Sequence, residues 1–122
     1  MANVRYMVDD VDAAVHFYTT FFGFRLLSQA GAAFADVARD DLRLLLSGPQ
    51  SSGARPMADG ARPEPGGWNR IHLVVDDVAA EVDRLEAAGL KPRNDVVTGP
   101  GGSQVLFCDP AGNLVELFQP AH

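Results

Sequence analysis

The sequence lacks several features that would place it in a specialised class of protein. It has a single cysteine, Cys108, which excludes an internal disulfide and fits a reducing compartment. No apolar run approaches the roughly 20 residues of a membrane-spanning helix, and the N-terminus has no signal-peptide pattern. Basic residues number only 10 against 16 acidic ones, and the net charge of −6 argues against nucleic-acid binding. We therefore expect a cytoplasmic protein that binds neither nucleic acid nor a membrane.

The composition that remains is typical of one globular domain. Of the 122 residues, 47% are hydrophobic and 21% are charged, which is enough apolar material for a real core and too little charge for a disordered chain. Cys108 follows the apolar run Val105-Leu106-Phe107, so we expect a buried structural thiol and not a nucleophile.

A short phrase occurs twice in the chain. Residues 8–13 read VDDVDA, and residues 75–80 read VDDVAA. Each copy follows a short apolar run and opens an amphipathic stretch that ends at a glycine, Gly23 or Gly89. Two similar halves in so short a chain indicate a duplicated module.

The first half is predicted to contain one helix and four strands. Alternating apolar residues predict a strand over residues 4–8, after which Asp9 or Asp10 caps a helix that ends at Gly23. Three further runs of strand length follow, separated by turn-forming residues, at 24–27, 33–38 and 42–46. The order is β-α-β-β-β.

The second half repeats this order. A strand is predicted over residues 70–75 and a helix from Val78 to Gly89. Three extended segments follow, at 91–93, 103–108 and 114–118. The Pro/Gly-rich residues 48–67 between the halves can sustain neither a helix nor a central strand. We therefore predict a single α+β domain, 1–122, with a first module at 1–47, a linker at 48–67 and a second module at 68–122.

Two motifs connect this order to a known family. Residues 17–24 read FYTTFFGF after the first capped helix, and residues 109–117 read DPAGNLVEL near the end of the chain. With the doubled βαβββ module, they resemble the vicinal oxygen chelate superfamily, which includes glyoxalase I, extradiol dioxygenases and the bleomycin-binding resistance proteins. The resemblance implies curved mixed sheets around a cavity, a small-molecule ligand or substrate, and a homodimer as the expected assembly.

Metal-using members of this family place ligands on the first and last strands of each module. Of the four corresponding positions in this chain, only Glu116 can coordinate well, since the others are Asn3, Arg70 and a leucine within Leu44-Leu45. An arginine brings a fixed positive charge that repels a metal ion. We therefore predict no cofactor.

The case for a metal rests on His72, which lies two residues after Arg70 and so on the same face of the strand. His72 and Glu116, completed by water or by a residue of a partner chain, would bind a divalent ion such as Zn, Ni, Mn or Fe weakly. Without a metal, His72 would either contact a ligand beside an Arg70–Glu116 ion pair or have a purely structural role. His16 and His122 are interpreted as surface or packing residues.

Strand parity predicts which side chains line the cavity. The apolar residues Val4, Tyr6, Val8, Ile71, Leu73 and Val75 are expected to pack on the helices. The opposite face then carries the residues that we expect to bind a ligand: Arg5, Met7, Arg43, Trp68, Arg70, His72, Glu116 and Phe118. An aromatic wall with a few charged groups is typical of a small-molecule pocket. The alternative is that the arginines pair with acids at a dimer interface.

The leading hypothesis is a metal-independent small-molecule-binding protein that resembles the bleomycin-resistance branch and sequesters an aromatic or polar natural product. Trp68 would stack on the ligand, and the arginines would bind its polar groups. The alternative is a lyase, isomerase or dioxygenase that uses a divalent ion, or in which Glu116 is catalytic and abstracts a proton. A ligand-free dimeric interaction module is a third hypothesis.

Overall fold

The computed structural model describes residues 2–121. In the first half the elements are β1 (Ala2–Met7), α1 (Val11–Phe21), β2 (Arg25–Ala30), β3 (Phe34–Arg39) and β4 (Leu42–Ser47). In the second half they are β5 (Arg70–Val74), α2 (Val78–Ala87), β6 (Val97–Gly99), β7 (Gly102–Cys108) and β8 (Leu114–Pro120). The segment between β4 and β5 contains one 3-10 turn, Ser52–Ala54. The predicted α+β class and the doubled βαβββ order are confirmed.

The two modules build sheets of identical topology. The strand orders are β1-β4-β3-β2 and β5-β8-β7-β6, so each first strand pairs with the last strand of its own module. That pairing is parallel in both sheets, and the remaining pairings are antiparallel. The first and last strands of each module can be parallel neighbours because the chain between them crosses over through the helix. A tight turn can join only antiparallel strands.

Both helices begin at the second aspartate of the repeated phrase. The Asp10 carboxylate accepts a hydrogen bond of 3.0 Å from the N–H of Ala13, and Asp77 accepts one of 3.0 Å from Ala80. These bonds satisfy N–H groups that have no partner within the helix. Each helix is followed by a glycine with positive φ, 71° at Gly23 and 94° at Gly89, a conformation that other residues adopt only with strain.

The core lies between each sheet and its own helix. In β5 the pattern is strict, since Ile71 and Leu73 are buried while the other three residues of the strand are exposed. In the first module the edge-to-face aromatic contacts of Tyr18 with Phe17 and Phe24, with ring centroids 5.0 and 5.4 Å apart, fill the equivalent space. The face of each sheet that points away from its own helix is called the far face below.

Two expectations from the sequence are wrong. The sixth strand is Val97–Gly99 and not residues 91–93, because Pro92 has no N–H to donate and only the Arg93 N–H reaches β7, at 2.8 Å from the Leu106 carbonyl. Cys108 is exposed and not buried. Side chains in β7 alternate, and Val105 and Phe107 take the core positions, which places Cys108 on the far face.

The chain forms two compact units that do not follow its halves completely. One unit contains the residues up to Gly67 together with Asp109–Asn113, and the other contains Trp68–Cys108 and the residues from Leu114 onwards. Within the first unit, the Tyr18 hydroxyl donates to Asp109 Oδ2 at 2.8 Å, and the Asn113 amide donates to the Met7 carbonyl at 2.7 Å. Burial raises the pKa of Tyr18, and the neighbouring Asp109 carboxylate raises it further. The turn between β7 and β8 therefore completes the core of the first unit.

Among residues 2–121 there is no helix of the length and apolarity that crossing a membrane would require.

Candidate functional site

The centre of the candidate site is Glu116, a carboxylate in the middle of the second sheet. Only 5% of its surface is exposed, although its side chain lies on the far face. The register places it directly opposite His72 on β5 and Leu106 on β7. Arg70 Nε lies 3.0 Å from Glu116 Oε1, and His72 Nε2 lies 3.3 Å from Oε2. Both oxygens of a buried carboxylate are thus held by cationic or hydrogen-bonding partners, as burial of a charge requires.

The local sequence explains this arrangement. In β5 the side-chain period of two places Arg70, His72 and Val74 on one face and the core residues on the other. The parallel pairing with β8 then brings His72 beside Glu116 and Val74 beside Phe118. The His72 ring packs on the Phe118 ring with centroids 4.7 Å apart. The Arg70, His72, Glu116 and Phe118 side chains of the predicted set are therefore neighbours.

Trp68 lies just before β5 in the same unit, and 69% of its surface is exposed. The Arg93 guanidinium lies over the indole ring, with its carbon 4.7 Å from the ring centroid. The predicted site did not include Arg93. The signal in the sequence was weak, because Arg93 is close to Trp68 only through the pairing of its segment with β7.

Three predicted residues, Arg5, Met7 and Arg43, lie on the far face of the first sheet. Arg5 Nη1 donates to Ser47 Oγ at 2.7 Å, and Arg43 Nε contacts a carboxylate oxygen of Asp36 at 2.7 Å. Met7 lines a surface hollow of about 210 Å³ under the segment 62–65. Ligand contact by these three side chains stays a prediction.

Asp36 is a second buried carboxylate that sequence reasoning missed. It lies on β3 with 3% of its surface exposed and accepts hydrogen bonds from Arg43 and from the Ser28 hydroxyl. Burial acts to raise the pKa of the Asp36 carboxyl, but these two hydrogen bonds and the charge of Arg43 outweigh it and hold the pKa below its usual value. The one signal for it in the sequence is that Asp36 is the sole charged residue in the apolar run 33–38.

The donor set around Glu116 does not suit a divalent metal ion. One carboxylate and one imidazole converge there, and the third neighbour is the guanidinium of Arg70. In the first sheet the position that corresponds to Glu116 is Leu45, which the register places opposite Arg5. Among residues 2–121, no three His, Cys, Asp or Glu side chains are grouped so that they could hold a metal ion.

Of the two remaining histidines, His16 is exposed on α1, where its Nδ1 lies 3.4 Å from the Thr20 hydroxyl. His122 lies outside the described residues.

Comparisons with known proteins agree with this fold. The model of the Glyoxalase/Bleomycin resistance protein/Dioxygenase superfamily matches residues 1–117. A protein from Arabidopsis thaliana described as "Probable lactoylglutathione lyase, chloroplastic" is 28% identical over 128 residues, which cover 98% of this chain and 35% of that protein. The chain therefore spans about a third of the length of this curated relative.

Two solved structures are similar over nearly their whole length. A lactoylglutathione lyase from Agrobacterium tumefaciens is 27% identical with a TM-score of 0.77, and the match covers 98% of this chain and 92% of that one. An antibiotic-binding protein from Streptomyces sp. CB03234 is 30% identical with a TM-score of 0.75, covering 98% and 93%.

Proposed function

Because this chain belongs to the glyoxalase/bleomycin resistance protein/dioxygenase superfamily, we propose that it is a metal-independent small-molecule-binding protein that sequesters an aromatic or polar compound. The observation that carries the proposal is the buried Glu116, whose two oxygens contact Arg70 and His72 beside the Phe118 ring. A few fixed polar groups beside aromatic surface are the usual composition of a small-molecule site.

Arg70 opposes the binding of a metal ion at this site. This residue occupies the first-strand position at which metal-using members of the family carry a ligand, and its Nε is 3.0 Å from the only strong ligand of the set, Glu116. A metal ion at Glu116 would have to displace this ion pair and would stand next to a permanent positive charge, both of which oppose binding. Binding without bond chemistry does not need the missing ligands.

The similarity to the antibiotic-binding protein from Streptomyces, at 30% identity, supports a sequestering role. In this proposal Phe118 and Trp68 supply aromatic surface, Arg70 and His72 contact polar groups of the ligand, and Glu116 orients them. Arg5, Met7 and Arg43 are proposed as further ligand contacts on the first sheet, and a homodimer is the proposed assembly.

The test is calorimetric titration of the tag-free protein, with planar aromatic probes in EDTA and with zinc and nickel after EDTA is removed. We expect saturable binding of anthraquinone-2-sulfonate in EDTA, weakened about five- to tenfold in Phe118→Ala, since a stacked ring contributes about 1–1.5 kcal/mol. His16→Ala, on exposed helix surface, is the matched control and should bind as the wild type does. Stoichiometric zinc or nickel binding that disappears in His72→Ala would overturn metal independence.

The second candidate is an enzyme, and the approach of His72 to Glu116, at 3.3 Å, favours it. Two relatives are described as lactoylglutathione lyases, at 28% and 27% identity. In this version Glu116 abstracts a proton next to a carbonyl group while Arg70 stabilises the negative charge that develops. Turnover of lactoylglutathione, abolished in Glu116→Gln, would favour the enzyme over the sequestering protein.

A further inference from the structure

We infer that Arg93 determines the ligand specificity of the site in the second unit and selects planar aromatic molecules that carry an anionic group. The inference rests on the proposed function and adds the chemical class of the ligand. It depends on three observations about Arg93: its position over Trp68, the bonds that fix its segment, and its lack of a carboxylate partner among residues 2–121.

The Arg93 guanidinium and the Trp68 indole form one composite surface. The guanidinium carbon lies 4.7 Å from the ring centroid, and 69% of the Trp68 surface nevertheless remains exposed. Because most of the Trp68 surface is exposed beside this cation, the ring can still stack on a planar molecule. The guanidinium then lies within reach of a polar substituent on that molecule.

The segment that carries Arg93 is fixed although it is not a strand. The Arg93 N–H donates to the Leu106 carbonyl at 2.8 Å, and Asn94 Oδ1 accepts the Leu106 N–H at 2.9 Å. Arg93 Nη1 also lies 3.9 Å from Cys108 Sγ, a weak contact at the end of β7. Arg93 is therefore held at a defined position and loses little conformational entropy when a ligand binds.

The charges of the two arginines differ in how they are compensated. Arg70 is neutralised by Glu116, at 3.0 Å. Arg93 has no ion pair with any carboxylate in the part of the chain that the structure describes, residues 2–121. In the second sheet Leu114 pairs with Cys108 on one side and with Arg70 on the other. Because Arg93 contacts Cys108, both guanidinium groups lie along this one row of the sheet. A guanidinium without an ion-pair partner beside an exposed indole favours an aromatic anion over a neutral ring.

The experiment compares two planar tricyclic probes, anthraquinone-2-sulfonate and the neutral 2-(hydroxymethyl)anthraquinone. Their affinities are measured by calorimetry in EDTA, and emission of Trp68, the chain's single tryptophan, reports whether each probe reaches the indole. For the wild type we expect the sulfonate to bind about tenfold more tightly than the neutral probe. Arg93→Gln should remove most of this preference and leave the neutral affinity within about twofold, and Arg93→Lys should retain part of it.

The control is Arg84→Gln, because Arg84 lies in the same unit but pairs with Glu81 on the exposed side of α2. Its probe preference should equal that of the wild type. Thermal unfolding of each variant confirms that the fold is intact. If both probes bind and the preference survives in Arg93→Gln, Arg93 only packs on Trp68 and the inference fails alone. If neither probe binds the wild type, the proposed function fails with it.

Discussion

The two sheets have the same strand order and the same parallel pairing, yet each holds its buried carboxylate in a different way. In the first sheet Asp36 is on β3, and its partner Arg43 is seven residues later in the same hairpin. In the second sheet Glu116 is on β8, and its partners Arg70 and His72 come from β5, across the helical crossover. The first carboxylate is enclosed by local structure, whereas the second lies where two distant segments meet beside aromatic rings. One scaffold thus carries an ion pair made within a single hairpin and a second carboxylate, Glu116, whose partners come from a separate strand.

The turns that precede β4 and β8, the last strands of the two modules, also differ in how they are held. In the first module Asp40 and Asp41 form a short exposed turn, in which Asp40 has a φ of 52°. In the second module the turn is Asp109–Asn113, whose first and last residues are buried and which belongs to the first compact unit.

The largest expected effect comes from Asp109→Ala. The substitution removes the acceptor of the fully buried Tyr18 hydroxyl, at 2.8 Å, and of the Ala111 and Asn113 N–H groups, both at 2.9 Å. Leaving buried donors without partners should lower the free energy of unfolding by about 3–4 kcal/mol. Urea denaturation followed by circular dichroism measures the change. Asp41→Ala, in the exposed turn of the first module, should cost less than about 0.5 kcal/mol, and equal losses in the two variants would show that the turns are equivalent after all.

The next effect concerns Asp36→Asn, which removes the charge of the pair with Arg43. We expect a loss of about 2–3 kcal/mol at pH 7, because Arg43 loses a buried ionic partner. The pKa of Asp36 in the folded protein is lower than its ordinary value of 3.8, so its contribution is present above that pH and is lost as the pH falls through the folded pKa. The difference between wild type and variant should therefore shrink below about pH 4.

Urea titrations at several pH values measure this difference. Asp83→Asn, at an exposed position of α2, is the control. Its difference in unfolding free energy from the wild type should not shrink at low pH. If the difference in unfolding free energy between the wild type and Asp36→Asn stayed constant down to about pH 2, the charge of the Asp36 carboxylate would not stabilise the fold.

Leu45→Glu makes the first sheet resemble the second at the position of Glu116. Leu45 lies between Arg5 and Asp36 in the ladder, so the new carboxylate would stand opposite the Asp36 carboxylate. Like charges directly opposite are unfavourable, and we expect a loss of about 1–2 kcal/mol. In the double variant with Asp36→Asn the combined loss should be smaller than the sum of the single losses. Strict additivity in this cycle would contradict the proposed repulsion.

The smallest effects concern the two helix caps. Asp10→Ala and Asp77→Ala each remove one bond of 3.0 Å to a helix N–H, a change that typically costs about 1 kcal/mol. In α2 the Gln119 side chain also accepts the Val78 N–H, at 2.9 Å, which satisfies a second group at the helix start. We therefore expect Asp77→Ala to cost less than Asp10→Ala in thermal unfolding. The reverse order would indicate that the Gln119 bond adds nothing in solution.

The features that the sequence predicted best are those set by neighbours along the chain. The capping aspartate, the glycine after each helix and the side-chain alternation of β5 each depend on a few consecutive residues. Periodicity and caps are local rules, so they could be applied without knowing the register of the sheets.

The features that were missed or wrong depend on the register in which segments pair. The environment of Asp36 follows from its position opposite Leu45 and beside Ser28, and the position of Arg93 follows from two bonds between its segment and Leu106. The segment 91–93 was expected to be a strand because the repeat implied one there, but Pro92 displaced the strand to Val97–Gly99. None of these relationships is visible in the spacing of residues along the chain.

The bond between Tyr18 and Asp109 also constrains the time at which the first unit can finish folding in a cell. The two residues are 91 positions apart, and a ribosome adds about 5–20 residues per second, so roughly 5–20 s separate their synthesis. During that interval α1 and the first sheet exist without the turn that accepts the Tyr18 hydroxyl and donates to the Met7 carbonyl. The half that is synthesised first is therefore expected to complete its core only after most of the chain has been made. Until then its aromatic cluster is open to chaperones and to other nascent chains.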